Sequence, residues 1–165
     1  MYNTILISSE ACTGKTTFAK KNKKVLDLDF FESKILKGLS EKKQQEQIYR
    51  FVKIIKKLQK SGVYEYILIT TDSRFVKEYI NQDLEMAIVL PHIEDIHTYV
   101  DRARKRGNTP KWIKEYFEVG LKEISMIEEM IKGTNIKLFK ISKDEFLEDL
   151  IPNIDKIFKK SWFFD

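Results

Sequence analysis

Residues 5–20, ILISSEACTGKTTFAK, constrain the fold of this chain more than any other stretch. An apolar run ends at Ser8, small and polar residues follow, and Gly14-Lys15-Thr16-Thr17 then leads into helix-compatible sequence. A strand feeding a tight loop that opens a helix turns backbone N–H groups onto one point at the positive helix end. The spacing is that of the phosphate-binding pattern G-x-x-x-x-G-K-[ST]. Gly14, Lys15 and Thr16 supply its second glycine, lysine and threonine, while Ser9 stands where the first glycine belongs. In that pattern Gly14 permits close approach of the backbone, Lys15 reaches the β- and γ-phosphates, and the Thr16 hydroxyl can bind Mg²⁺. Ser9, Ala11, Cys12, Thr13, Gly14, Lys15, Thr16 and Thr17 are therefore the candidate nucleotide-binding residues.

With 165 residues, 33% charged and 42% hydrophobic, the chain suits one soluble domain spanning 1–165. No apolar run approaches ~18 residues and no cationic leader precedes an apolar segment, so a cytoplasmic protein without a membrane partner is expected. Cys12 is the single cysteine, which excludes an internal disulfide. The net charge of +5 favours polyanionic partners, and its distribution is more telling than its size. Arginine is scarce, yet Arg102, Arg104 and Arg106 lie within five residues. Guanidinium forks match phosphate oxygens bidentately, which ammonium groups cannot do.

Read in order, residues 2–8 form the first expected strand and 14–22 the first helix. Residues 25–30 read as a second strand with Asp27 and Asp29 at alternate positions, hence on one face. A short helix or loop over 31–39 is broken at Gly38. Ser40 then caps a long helix ending near Gly62, with Ile48, Phe51, Val52, Ile55 and Leu58 at helical spacing. Residues 66–70 form a third strand, followed by a helix to about Asn81, and 86–90 a fourth strand stopped by Pro91. Residues 93–106 read as a helix broken at Gly107-Asn108-Thr109-Pro110, and Pro110 suits the first turn of another helix running to Gly133. Residues 136–141 form the fifth strand and 142–150 a helix capped by Ser142. The aromatic tail, 154–164, is expected to pack on its own domain or against a second copy, leaving monomer and homodimer both open. Strands alternating with helices imply right-handed crossovers and a parallel α/β sheet covered on both faces.

In such sheets ligands lie beyond the carboxyl ends of the strands. Those ends carry the phosphate loop, Asp27 and Asp29, and Asp72 and Arg74. A phosphotransferase with a hydroxyl acceptor needs one carboxylate to orient that hydroxyl or take its proton, and a second to hold metal-bound water. The Asp27-x-Asp29 pair offers both, although either can also cap the helix that follows. Asp72 has the same two readings. Arg102 and Arg106 share a helix face while Arg104 points away, with Gly107-Asn108 as a hinge beyond them. Closing on phosphates, the two arginines would stabilise transition-state charge; the plainer role is a solvated basic helix end. Arg50, on the long helix, is a further candidate for substrate contact. Cys12 is expected to react with alkylating reagents and to be shielded by Mg-ATP, unless it is buried under the loop.

With the phosphate loop first, an acidic pair after the second strand and R-x-x-x-R-G-N after the fourth, residues 1–142 resemble the P-loop kinase group. That group includes nucleoside monophosphate kinases, deoxynucleoside kinases, shikimate kinase and the kinase domain of polynucleotide kinase. Residues 99–108, YVDRARKRGN, look especially like the small nucleotide-kinase-like proteins of bacteriophages and Firmicutes. The resemblance implies a P-loop NTPase fold, a five-stranded parallel sheet in order 2-3-1-4-5, an acceptor region at about 30–62 and a short lid at about 99–112. By the same analogy Lys15 and Thr16 serve ATP and Mg²⁺, Asp27 takes the metal side, Asp29 contacts the substrate, and Arg102 and Arg106 are lid arginines. Arg50, Asp72 and Arg74 complete the candidate substrate set. The sequence departs from the pattern at Ser9 and at Cys12, where the G-x-x-G-x-G-K spacing of the monophosphate kinases carries a glycine.

The leading expectation is an ATP- and Mg²⁺-dependent kinase acting on a nucleotide or nucleoside. A polynucleotide 5′-hydroxyl is the enzymatic alternative, which keeps nucleic acid as a candidate acceptor. A nucleotide-binding regulatory or interaction protein with a degenerate loop is the alternative from another class.

Overall fold

The computed structural model describes residues 4–159, apart from the side chains at 33, 117–119 and 121. Strands β1 (Ile5–Ser9), β2 (Val25–Asp27), β3 (Tyr66–Ile69), β4 (Met86–Pro91) and β5 (Ile136–Ile141) form one parallel sheet in the order β2-β3-β1-β4-β5. The helices are α1 (Lys15–Lys21), α2 (Asp29–Leu36), α3 (Glu41–Ser61), α4 (Ser73–Asn81), α5 (Ile96–Lys105), α6 (Pro110–Met130) and α7 (Leu147–Phe158).

The continuous apolar strands place side chains alternately on two faces, and each face has its own core. Leu6, Ile67, Ile69, Met86 and Ile88 pack against Val52, Ile55, Phe75 and Ile127 of α3, α4 and α6. Ile5, Ile7, Leu68, Ala87 and Val89 pack against Phe18, Tyr99, Leu150 and Ile154 of α1, α5 and α7. β1 lies centrally between β3 and β4, with Ser8 opposite Ile69 and Ser9 opposite Val89. From β1 the chain winds first towards β2 and later back past β1 to β4, so the loop after β1 sits at the point where the strand order reverses. Among the described residues no helix is long and apolar enough to cross a membrane.

Several boundaries differ from expectation for identifiable reasons. β2 ends at Asp27, and Asp29 opens α2 instead of continuing the strand. The Asp27 Oδ1 accepts the Asp29 N–H at 3.1 Å, a local turn that competes with the ladder. The two carboxylates are thus not alternate residues on one strand face. Ser142 does not cap a helix. α7 starts five residues later, where Asp149 accepts the Phe146 N–H at 2.8 Å, and continues through Pro152 to Phe158. Pro152 is tolerated on the exposed side, while Leu147, Leu150, Ile154 and Phe158 face the core. Residues 154–158 therefore belong to a core helix, with Ile154 and Phe158 buried, and the rest of the expected aromatic tail, 160–164, lies outside the described residues. Pro91 is the last residue of β4, opposite Ile141, and a 3₁₀ turn at Ile93–Asp95 precedes α5.

Candidate active site

The loop between β1 and α1 keeps its turn despite the missing glycine. Ser9 is fully buried and its hydroxyl lies 2.6 Å from that of Thr13. Thr13 in turn donates to the Glu10 carbonyl at 2.8 Å, so Ser9 is the donor of the pair. A side chain where glycine is usual has become an internal brace. Cys12 has φ 63° and Gly14 φ 97°, both left-handed. Cysteine pays a steric penalty there that glycine would not. At Gly14 a Cβ would stand 3.2 Å from the Phe146 ring, which closes one side of the loop. The Thr13 carbonyl also accepts the Leu147 N–H at 2.8 Å, tying the loop to the start of α7.

Lys15 is buried, its ammonium donating to the carbonyls of Ser9 and Glu10 and lying 3.2 Å from Asp29 Oδ2. The ion pair faces a cleft of about 900 Å³ whose wall includes Thr16, Asp27, Phe30, Arg102 and Arg106. Thr16 and Thr17 are exposed on its floor. Half-burial pushes the Asp27 carboxyl above the usual range, helped by the Asp29 carboxylate and opposed by the Asp29 N–H and Lys15. A groove of about 770 Å³ lies between α5 and α6, lined by His97, Asp101, Arg104 and Lys114 among others. It contains neither the loop nor the acidic pair.

The arginine cluster divides as helical geometry requires. Arg104 pairs with Asp101 at 2.9 Å, away from the loop. Arg102 donates to the carbonyls of Cys12 at 3.3 Å and Lys143 at 2.6 Å, and its guanidinium lies 4.2 Å from the Phe146 ring centre. It joins the phosphate loop to the segment preceding α7. Arg106 lies 3.5 Å from the Cys12 sulfur. Cys12 is buried in the core cluster that also holds Tyr99, Val100 and Ala103, and it lines the wall of the cleft.

The other candidate substrate residues are not brought to this cleft. Asp72 caps α4, accepting the Arg74 N–H at 2.9 Å, and also holds the Arg74 guanidinium at 2.6 and 3.0 Å. Arg74 reaches across to Gln44 of α3 at 2.8 Å. Arg50 is exposed on α3. Two acids that sequence reasoning overlooked stand closer to Lys15. Glu10 is buried within the loop and accepts the Thr71 hydroxyl; burial pushes its carboxyl up against the pull of Thr71 and Lys15. Glu32, in α2, accepts the Thr70 N–H at 2.6 Å, and burial with the nearby Asp29 carboxylate pushes it up to about 9. The available signal for Glu32 was its spacing, one helical turn after Asp29.

No family model and no curated protein matches this chain. Its structure is similar to the 1.7 Å crystal structure of shikimate kinase from Bacteroides thetaiotaomicron, with a TM-score of 0.62, 12% sequence identity, and coverage of 96% of this chain and 99% of that one. That likeness, together with the sheet order and the loop at its reversal point, assigns the fold: it is the P-loop NTPase fold of shikimate kinase.

Proposed function

We propose that the protein is an ATP- and Mg²⁺-dependent phosphotransferase whose acceptor is a nucleoside or nucleotide. One observation carries this reading: Lys15 and Asp29, a phosphate-binding cation and an acceptor-side carboxylate, lie 3.2 Å apart at the wall of a single cleft. The donor set suits both cofactors. The Thr16 hydroxyl and Asp27 carboxylate are hard oxygen donors on one cleft, and Mg²⁺ commonly takes only one or two protein ligands beside phosphate oxygens. Gly14, left-handed and on the cleft wall, puts no side chain between the loop backbone and an approaching phosphate. Mg²⁺ held by Thr16 and Asp27 would supply neutralisation of the phosphate charge.

The chain's own residues perform the remaining tasks. Lys15 exchanges its carbonyl and Asp29 contacts for phosphate oxygens. Asp29, released from Lys15, accepts the proton of the acceptor hydroxyl. Arg102 and Arg106 close the far wall and offset charge on the transferred group.

Phe30, 64% exposed and on the cleft wall, supports an acceptor with a flat aromatic base. Phe31 lies edge-on to it and the Lys34 ammonium stands 3.8 Å from the Phe30 ring centre. A platform of aromatic rings and cations at an open mouth also favours the second reading, a polynucleotide 5′-hydroxyl acceptor. Labelled ATP offered with nucleosides, nucleotides, 5′-hydroxyl oligonucleotides and shikimate tests the assignment. Transfer to nucleosides or nucleotides is the expected result. Transfer only to oligonucleotides selects the second reading, and tight Mg-ATP binding without transfer selects a regulatory protein.

A further inference from the structure

One turn of α2 reverses the ordinary order of burial. Glu32 is 1% exposed, while Phe30 and Phe31 beside it are 64% and 53% exposed. Transfer of the two rings alone would favour the opposite rotation, while Leu36, a turn beyond Glu32 on the same side, is buried in the core and favours the observed one. A specific polar contact adds to the Leu36 side. Glu32 Oε2 accepts the Thr70 N–H at 2.6 Å, where the chain leaves β3, and the Tyr79 hydroxyl, 3.3 Å from the Thr70 carbonyl, lies 3.5 Å from Oε1. The N-cap residue Leu28 makes no side-chain bond, so the start of α2 is held by the Asp27 carboxylate on the Asp29 N–H and by the Asp29–Lys15 pair, and Glu32 holds the next turn. Asp29 precedes Glu32 by three residues and shares its side of the helix, and Phe30 follows Asp29 onto the cleft wall.

We propose that Glu32 is a positioning residue for phosphoryl transfer: docked on the Thr70 N–H, it sets the rotation of α2 that holds Asp29 against Lys15 and turns Phe30 into the cleft. This rests on the phosphotransferase reading and adds to it a group that touches neither nucleotide nor acceptor. The charged and titratable groups facing Glu32 are Asp29 on its own helix, Lys15 from α1, Asp72 after β3 and Tyr79 from α4. Burial, then Asp29, push its carboxyl up to about 9, so at neutral pH it docks uncharged beside Asp29. Ionisation would place a second negative charge behind Asp29 and drive the two apart.

The test compares wild type, Glu32→Ala and Glu32→Gln with an acceptor that the wild type phosphorylates. Glu32→Ala is expected to lower kcat by on the order of tenfold to a hundredfold, as misplacement of a reacting group does, while KM for ATP stays within about twofold. Glu32→Gln, which keeps a neutral acceptor oxygen, is expected to restore kcat near neutral pH. Its alkaline limb is expected to lie above that of wild type, which falls as the pH passes about 9. Hydrogen exchange at the Thr70 amide should be fast in the alanine variant and slow in the glutamine variant. Should Glu32→Ala fail to fold, Glu32→Asp, about one methylene shorter, serves in its place with the same expected loss. Wild-type kcat in the displaced-anchor variant, or superimposable alkaline limbs for wild type and Glu32→Gln, overturns the positioning role and leaves the phosphotransferase reading standing. A wild-type protein that binds Mg-ATP and transfers phosphate to no acceptor overturns that reading and the proposal with it.

Discussion

The phosphate loop and the first turn of α2 meet at the Lys15–Asp29 pair, yet they reach their geometry by opposite routes. The loop departs from its pattern at Ser9 and Cys12 and still adopts two left-handed residues and a closed hydroxyl brace. Its shape is a property of adjacent backbone, so a foreign side chain is absorbed where it finds a partner within four residues. α2 has an unremarkable sequence and an inverted burial pattern, because Glu32 finds its partner 38 residues away. Local geometry tolerates substitution, whereas a rotation set by one distant polar contact does not.

The comparison is broken most directly at its meeting point. Lys15→Ala is expected to lower phosphoryl transfer by at least about 10²-fold, the scale of losing a preorganised charge, with the fold retained by circular dichroism. Wild-type turnover in the purified variant would remove the loop from the chemistry altogether. On the lid side, Arg102→Lys is expected to lower kcat by about tenfold, more than it raises KM, since the fork is lost while the charge remains. Arg106→Lys is expected to cost less, because Arg106 meets the loop only through the Cys12 sulfur among the described contacts. Equal losses from the two would show that lid charge matters and the fork does not.

Stability against pH sharpens the contrast from the α2 side. Folding raises the Glu32 carboxyl from 4.5 to about 9, so between those values the folded chain binds a proton that the unfolded chain releases. The stability this provides is fully present below about 4.5 and is lost as pH rises towards about 9. Glu10, pushed up by burial, acts in the same direction. Glu32→Gln does not titrate, so its melting temperature is expected to match wild type near pH 4.5 and to exceed it by on the order of 10 °C near pH 8, from about 1.4 kcal/mol per pH unit at about 2–4 °C per kcal/mol. A difference that shrinks as pH rises would mean that Glu32 is folded as a carboxylate.

The smallest effects are expected within the loop. Ser9→Gly removes one buried hydroxyl brace and should cost about 1 kcal/mol, read as a shift in denaturant midpoint at constant slope. Cys12→Gly relieves a left-handed residue of about 1–2 kcal/mol of steric cost but removes a buried side chain, so its net change is expected to be small. A loss of several kcal/mol from either would show that the loop depends on its side chains as α2 does.

The alternation of apolar strands with helical segments is written in short-range periodicity, and the parallel sheet followed from it. The place of the phosphate loop, and of Lys15 and Thr16 within it, was equally legible from a strand, a turn and a helix start in immediate succession. The end of β2 was not, since the Asp27 carboxylate bonding the Asp29 N–H turns the chain where alternation predicts a longer strand. Nor was the fate of Asp72, whose two readings were separated only by Arg74 folding back onto it.

By itself the sequence determined an α/β sheet with a glycine-lysine-threonine turn after its first strand and arginines on one face of the helix after the fourth. Only the tertiary structure decided which polar groups meet. It sent Asp29 to Lys15, buried Glu32 against Thr70, moved Arg74 to Gln44 and fastened Arg102 to the Cys12 and Lys143 carbonyls, 90 and 41 residues away. Periodicity and turn chemistry act over a few residues, so one sequence window contains their cause. The partner of a buried charge is chosen by desolvation across the whole fold, where any unpaired polar group is costly and the groups that can pair are set by topology.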